Sequence, residues 1–286
     1  QAMVSNGHMF AMLKAMAPFS REAALQECLR GESYVTWLSD LARSFRENAP
    51  AMCEKISALA KRCFAGNRLF AAYTGKLDTA LLDTLSAALP ESPMGTPARL
   101  PAFDTAPAAI EIAADVSYSA LGANLYALGS GYTGSVSVLA SLMTYGYLWN
   151  AVRVRGGAYG TGMRAGSDGN VCCYSYRDPN LASTRAAFAA MADFLEDWLK
   201  EDQDLESTII GTVNTTDPLL GPSAAFSTAC SRYLRGVTHE DILRTRRELL
   251  RTTREDLRGL LEPLRAFQTR AKFCAVGSKD AVAFLK

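Results

Sequence analysis

Five prolines fall between residues 90 and 107, in "PESPMGTPARLPAFDTAP". Each removes a backbone donor and fixes φ, so neither a helix nor a central strand runs through this stretch. It divides the 286 residues into two parts, 1–90 and 106–286, joined by a linker at 91–105.

Both parts alternate between helical and extended patterns, which predicts an α+β chain. Helices are expected over 7–17, 21–30, 33–47 and 50–64, with Ser20 capping the second and Gly31 ending it. "NRLFAAYTG" reads as a short buried strand, followed by a helix at "LDTALLDTLSAAL". Beyond the linker, "AAIEIA", "DVSYSALGANL", "NVCCYSY" and "KFCAVG" read as strands. A long helix is expected over 134–150, three to five helices up to about 266, and a last helix at "SKDAVAFLK". Thr238 with Asp241 and Thr253 with Asp256 have the spacing of a capping box.

A repeat runs at an offset of 205. "CLRGESYVTWL" from Cys28 matches "YLRGVTHEDIL" from Tyr233, and "LFAAYTGK" later matches "KFCAVGSK". The same succession of elements predicts a duplicated unit. Residues 1–90 then form the last part of one copy, and 106–286 form a complete second copy.

Net charge is +1, against the basic excess of a nucleic-acid binder. No apolar run reaches the length of a membrane span. The seven cysteines include no C-x-x-C and read as reduced, buried small residues of an intracellular protein. The expected location is the cytoplasm, or an organelle matrix in a eukaryote. "GSGYTG" at 129–134 fits G-x-G-x-x-G but lacks the surrounding βαβ pattern, so it reads as a loop capping the next helix.

The most unusual stretch is "VRVRGGAYGTG", residues 152–162. Three readings compete for it: a phosphate cradle, a flexible tether, or a strand that other molecules pair with. Bare glycines let another backbone approach. Arg153 offers a planar fork of donors or a helix C-cap. Arg155 reads as a cap or an ion-pair partner, and "RDPN" as a turn with Asn180 or Ser183 capping the next helix.

"LWNAVRVRGGAYG", "YSYRDPNL", "IIGTVNTTDPLLGP" and "RYLRGVTHEDILRTRRELL", in that order, resemble the C-terminal region of pitrilysin-type zinc metallopeptidases, in the presequence-protease branch. In the first part, "GHMFAMLKAMAPFS" and "RGESYVTWL" belong with them. The resemblance implies mixed sheets with helices packed on one side, in units that close around a chamber. It implies that Arg153 and Tyr159 act as catalytic groups. Gly156, Gly157 and Ala158 are expected to contact the substrate, and the substrates are unfolded peptides of limited length. Zinc and a general base are expected from an N-terminal half of the same protein, on an H-x-x-E-H motif. This chain has no such motif, and its two histidines, His8 and His239, lie far apart in sequence. It is therefore expected to bind no metal and to be inactive alone. Two alternatives are a zinc-free homologue that holds peptides as a partner subunit, and a plain interaction domain.

Overall fold

A computed structural model describes all residues except 1, 77, 94, 97, 98, 202, 217 and 286. The chain forms two compact units. The first comprises residues 1–35, 100–218 and 239–286; the second comprises 36–99 and 219–238.

The first unit is built on a five-stranded mixed sheet. Its strands are β1 (Ala108–Glu111), β2 (Tyr118–Asn124), β3 (Gly160–Ala165), β4 (Asn170–Tyr176) and β5 (Lys272–Gly277), in the order β1-β5-β2-β4-β3. β1 runs parallel to β5, and the other pairs are antiparallel. Successive strand residues face opposite sides, and both sides are covered. Tyr118, Ala120, Cys172, Cys274 and Val276 meet Phe10, Ala11, Met12 and Ala15 of α1 (Ala2–Met16). Leu121, Ala123, Cys173, Phe273 and Ala275 face a larger core with Leu139, Phe188, Leu195, Leu264 and Phe267. Those partners come from α6 (Gly134–Leu142), α7 (Leu181–Ala189), α8 (Met191–Lys200) and α13 (Leu261–Arg270). The helices α6, α7, α8 and α13 thus pack on one side of the sheet, and α1 from the first part covers the other.

Several local expectations hold. Ser20 accepts a hydrogen bond from Ala23 N–H and caps α2 (Arg21–Arg30). Thr253 and Asp256 form the full capping box of α12 (Arg254–Gly259). No regular element occurs among the described residues of 90–107.

Others need correction. The run 33–47 breaks at Ser44 into α3 (Glu32–Arg43) and α4 (Phe45–Cys63). After residue 180, seven helices rather than three to five appear among the described residues. They are α7, α8, α9 (Leu205–Thr216), α10 (Pro222–Leu234), α11 (His239–Leu250), α12 and α13. The C-terminal "SKDAVAFLK" gives only a short 3₁₀ turn, Ala283–Leu285. "NRLFAAYTG" is not a strand. After the 3₁₀ turn Gly66–Arg68 its residues are exposed, and Phe70 stacks on Tyr233 at 5.7 Å. A strand needs a ladder partner. The second unit, with most of α3 and with α4, α5 (Thr79–Ala88) and α10, has no extended partner among its described residues. The cysteines divide: Cys172, Cys173 and Cys274 are buried, whereas Cys53 and Cys63 are exposed. Burial pushes the Cys172 and Cys274 thiols up to about 12, so both stay protonated.

Gly134 opens α6 where no side chain fits. A β-carbon there would lie 2.2 Å from Leu249 N and 2.5 Å from Thr245 O, both backbone atoms of α11. The Gly134 N–H donates to Glu248 Oε2 at 2.9 Å, so the carboxylate satisfies one of the free donors at the helix start. Gly134→Ala is expected to cost at least about 1–3 kcal/mol by forcing α6 from α11. An unchanged urea midpoint would show that the two helices are not so close.

His8 sits half-buried among Tyr118, Tyr174 and Tyr176, with ring centroids 6.2, 5.9 and 4.9 Å away. Burial first, and Arg164 second, lower its pKa from 6.5. The unfolded chain therefore binds a proton that the folded one resists. The His8 contribution is intact above pH 6.5 and fades as the pH falls through that value toward the folded pKa. The drop in Tm between about pH 7.5 and about pH 5.5 should be smaller in His8→Asn than in the parent chain. An equal drop would remove His8 from the pH dependence.

Candidate functional site

The chain leaves α6 without a break but with wider turns. From Met143 to Val154 the helix has π geometry, and at its end Arg155 N–H reaches back five residues to Asn150 O. Such widened turns are rare and concentrate at functional sites. The expected helix over 134–150 is therefore longer, and its second half is differently wound. Leu148 and Val152 are fully buried, which fixes the inner side. Tyr145, Trp149 and Arg153, four apart, retain exposure on the outer side.

The helix stops in the glycines. Gly157 has φ +81°, the left-handed conformation that closes many helices. Its N–H donates to Arg153 O at 3.0 Å, and Ala158 N–H donates to Val152 O at 3.1 Å. The Ala158 bond reaches one residue further back than the corresponding bond of an ordinary helix ending of this kind, as the wider turns require. At Gly156 a β-carbon would lie 2.5 Å from Val152 O, so a side chain would strain the closure. These two glycines thus have structural duties. Gly157 is also exposed, whereas the Ala158 methyl is buried.

Tyr159 follows at once. Its N–H donates to Tyr176 O at 3.0 Å and lies 3.3 Å from Arg177 O. Its ring meets Tyr176 edge-on at 5.9 Å, yet Tyr159 keeps 70% of its surface exposed. The backbone is anchored and the phenol faces solvent. Arg153 is half-buried, with its guanidinium carbon 4.0 Å from the Trp149 ring centroid. Both predicted catalytic residues lie on one tight helix-to-strand junction, and neither is locked in the interior.

"RDPN" behaves as a turn. Asp178 N–H donates to Ser117 O at 2.8 Å, Asp178 Oδ1 accepts from Asn180 N–H at 2.8 Å, and Asn180 caps α7. Arg177 adopts φ +47° and stacks over Tyr176 at 5.6 Å.

The glycine-rich letters hid β3, which directly follows Tyr159. It is one of the two edge strands, and its edge is partly closed. Thr144 Oγ1 accepts from Met163 N–H at 2.9 Å and sits 3.3 Å from Met163 O, standing in for a neighbouring strand. Thr161 and Met163 are buried. Thr144 therefore covers the β3 edge at Met163. Thr144, Trp149 and Tyr176 escaped sequence reasoning. Only the spacing of Tyr145, Trp149 and Arg153 carried a signal.

Among the described residues, no three His, Cys, Asp or Glu side chains converge to hold a metal ion. At the junction, Arg153 and Tyr159 offer hydrogen-bond donors beside a glycine-rich turn. No helix among the described residues is long and apolar enough to cross a membrane.

Residues 108–273, more than half of the chain, match the family described as PreP C-terminal domain. The chain is 30% identical over 251 residues to presequence protease 1, chloroplastic/mitochondrial, of Arabidopsis thaliana, covering 84% of this chain and 23% of that one. It is 28% identical over 261 residues to the mitochondrial presequence protease of Yarrowia lipolytica, covering 86% and 26%. Protein HypA of Clostridium perfringens is 38% identical over 132 residues, covering 46% and 14%. The chain thus spans about a quarter or less of the length of these relatives. Among solved structures, the peptidase M16 inactive domain from Pseudomonas fluorescens aligns with a TM-score of 0.48 and 13% identity, covering 70% of this chain and 50% of that one. The chain belongs to the family of the PreP C-terminal domain.

Proposed function

We propose that this chain is the non-zinc C-terminal part of a zinc metalloendopeptidase that degrades unfolded peptides. Zinc and the general base belong to an N-terminal half of the same protein. Residues 1–90 close a preceding unit, 91–105 connect, and 106–286 form the last unit. The relatives named as presequence proteases support a peptidase, and their chloroplastic or mitochondrial names favour an organelle matrix for eukaryotic members.

The observation that carries the reading is Tyr159: an anchored backbone below an exposed phenol, at the same junction as Arg153. The phenol donates to a substrate carbonyl oxygen, most strongly as that oxygen gains charge. A fixed donor of this kind stabilises the transition state more than the ground state. Arg153 holds a second carbonyl or a carboxylate through its planar fork of donors. Gly156, Gly157 and Ala158 supply the turn over which the substrate backbone passes. Main-chain contacts suit varied peptides because they ignore side chains.

In a full-length protein, Tyr159→Phe should lower kcat about a hundredfold with an unchanged thermal midpoint. Unchanged cleavage would remove Tyr159 from the chemistry. Zinc titrated into this chain alone should show no stoichiometric tight site by calorimetry. A tight equimolar site would contradict the assignment of zinc to the other half.

A further inference from the structure

The outer row of the widened helix explains how Arg153 is held, if Arg153 has the catalytic role proposed above. An arginine side chain is long and samples many rotamers, so a useful guanidinium needs a fixed seat. No carboxylate among the described residues forms an ion pair with Arg153. Arg153 instead lies over Trp149. At 4.0 Å this contact is shorter than the other guanidinium–ring contacts among the described residues, the next being Arg254 over Trp198 at 4.8 Å. Trp149 is steadied from the preceding turn by Tyr145, whose ring is 6.3 Å away at 42°.

We propose that Trp149 is the positioning residue for Arg153, its indole face seating the guanidinium at the helix end beside Tyr159. Stacking uses the flat face of the guanidinium and leaves its N–H donors, which lie in the plane, free for a substrate carbonyl or carboxylate. A carboxylate partner would occupy those donors; an aromatic face does not. The four-residue spacing keeps the two side chains over one another on the same helix side.

Peptide cleavage by the full-length protein tests this with Trp149→Ala, Trp149→Phe, Arg153→Ala and the double variant Trp149→Ala/Arg153→Ala. Trp149→Ala should lower kcat/KM about three- to thirtyfold, the range of one cation–aromatic contact. Trp149→Phe, which keeps a ring face, should recover most of the loss. The double variant should be no slower than Arg153→Ala alone. Two results overturn the proposal: wild-type rates for Trp149→Ala beside a slow Arg153→Ala, or a further loss in the double variant equal to that of Trp149→Ala alone. The first leaves the role of Arg153 standing. A wild-type rate for Arg153→Ala sinks that role instead. NMR on this chain then reports the seat separately: the Arg153 δ-protons should show an upfield ring-current shift that Trp149→Ala removes and Trp149→Phe retains. Without that shift in the parent chain there is no stack.

Discussion

Two hydrogen bonds close the widened helix, Gly157 N–H to Arg153 O and Ala158 N–H to Val152 O, and the site depends on them. They turn the chain within three residues. Leu148 and Val152 root the helix in the core below, and β4 takes up the Tyr159 N–H above. An arginine and a tyrosine six positions apart are thereby carried on opposite limbs of one rigid bend. A looser connection would leave both side chains free to wander. The wider turns and the glycines belong together, since the Ala158 N–H reaches six residues back to Val152 O, one further than the corresponding bond of an ordinary helix ending.

The sheet supports this bend through burial on both faces. Alternate residues of β2, β4 and β5 separate into a core shared with α1 and a larger core shared with the later helices. The fully buried Ser119 and Ser175 hydroxyls pair at 2.8 Å, so no polar group is stranded between the central strands. The edge strand β3 is shielded by Thr144, which imitates a strand neighbour with one hydroxyl.

Much of the fold was legible because local signals agreed with the tertiary environment. "KFCAVG" alternates around a sheet buried on both faces and becomes β5, and Thr253 with Asp256 gives a capping box. The elements that were missed depended on distant partners. "NRLFAAYTG" has strand composition but no strand to pair with. β3 has strand pairing but a composition of glycines, so its letters resemble a loop. The π geometry has no sequence signature. At the site, the identities of Arg153 and Tyr159 came from resemblance, and their exposure came from the structure. The duties of Gly156 and Gly157 in closing the helix required coordinates, because a φ of +81° or a 2.5 Å approach is invisible in letters.

Amide hydrogen exchange at Gly157, Ala158 and Tyr159 tests the central claim most directly. Slow exchange at all three, comparable to the amides of β4, is the result that a rigid hydrogen-bonded bend predicts. Exchange at the rate of an open loop would mean that the bend is not closed, and the shared presentation of Arg153 and Tyr159 would fall with it.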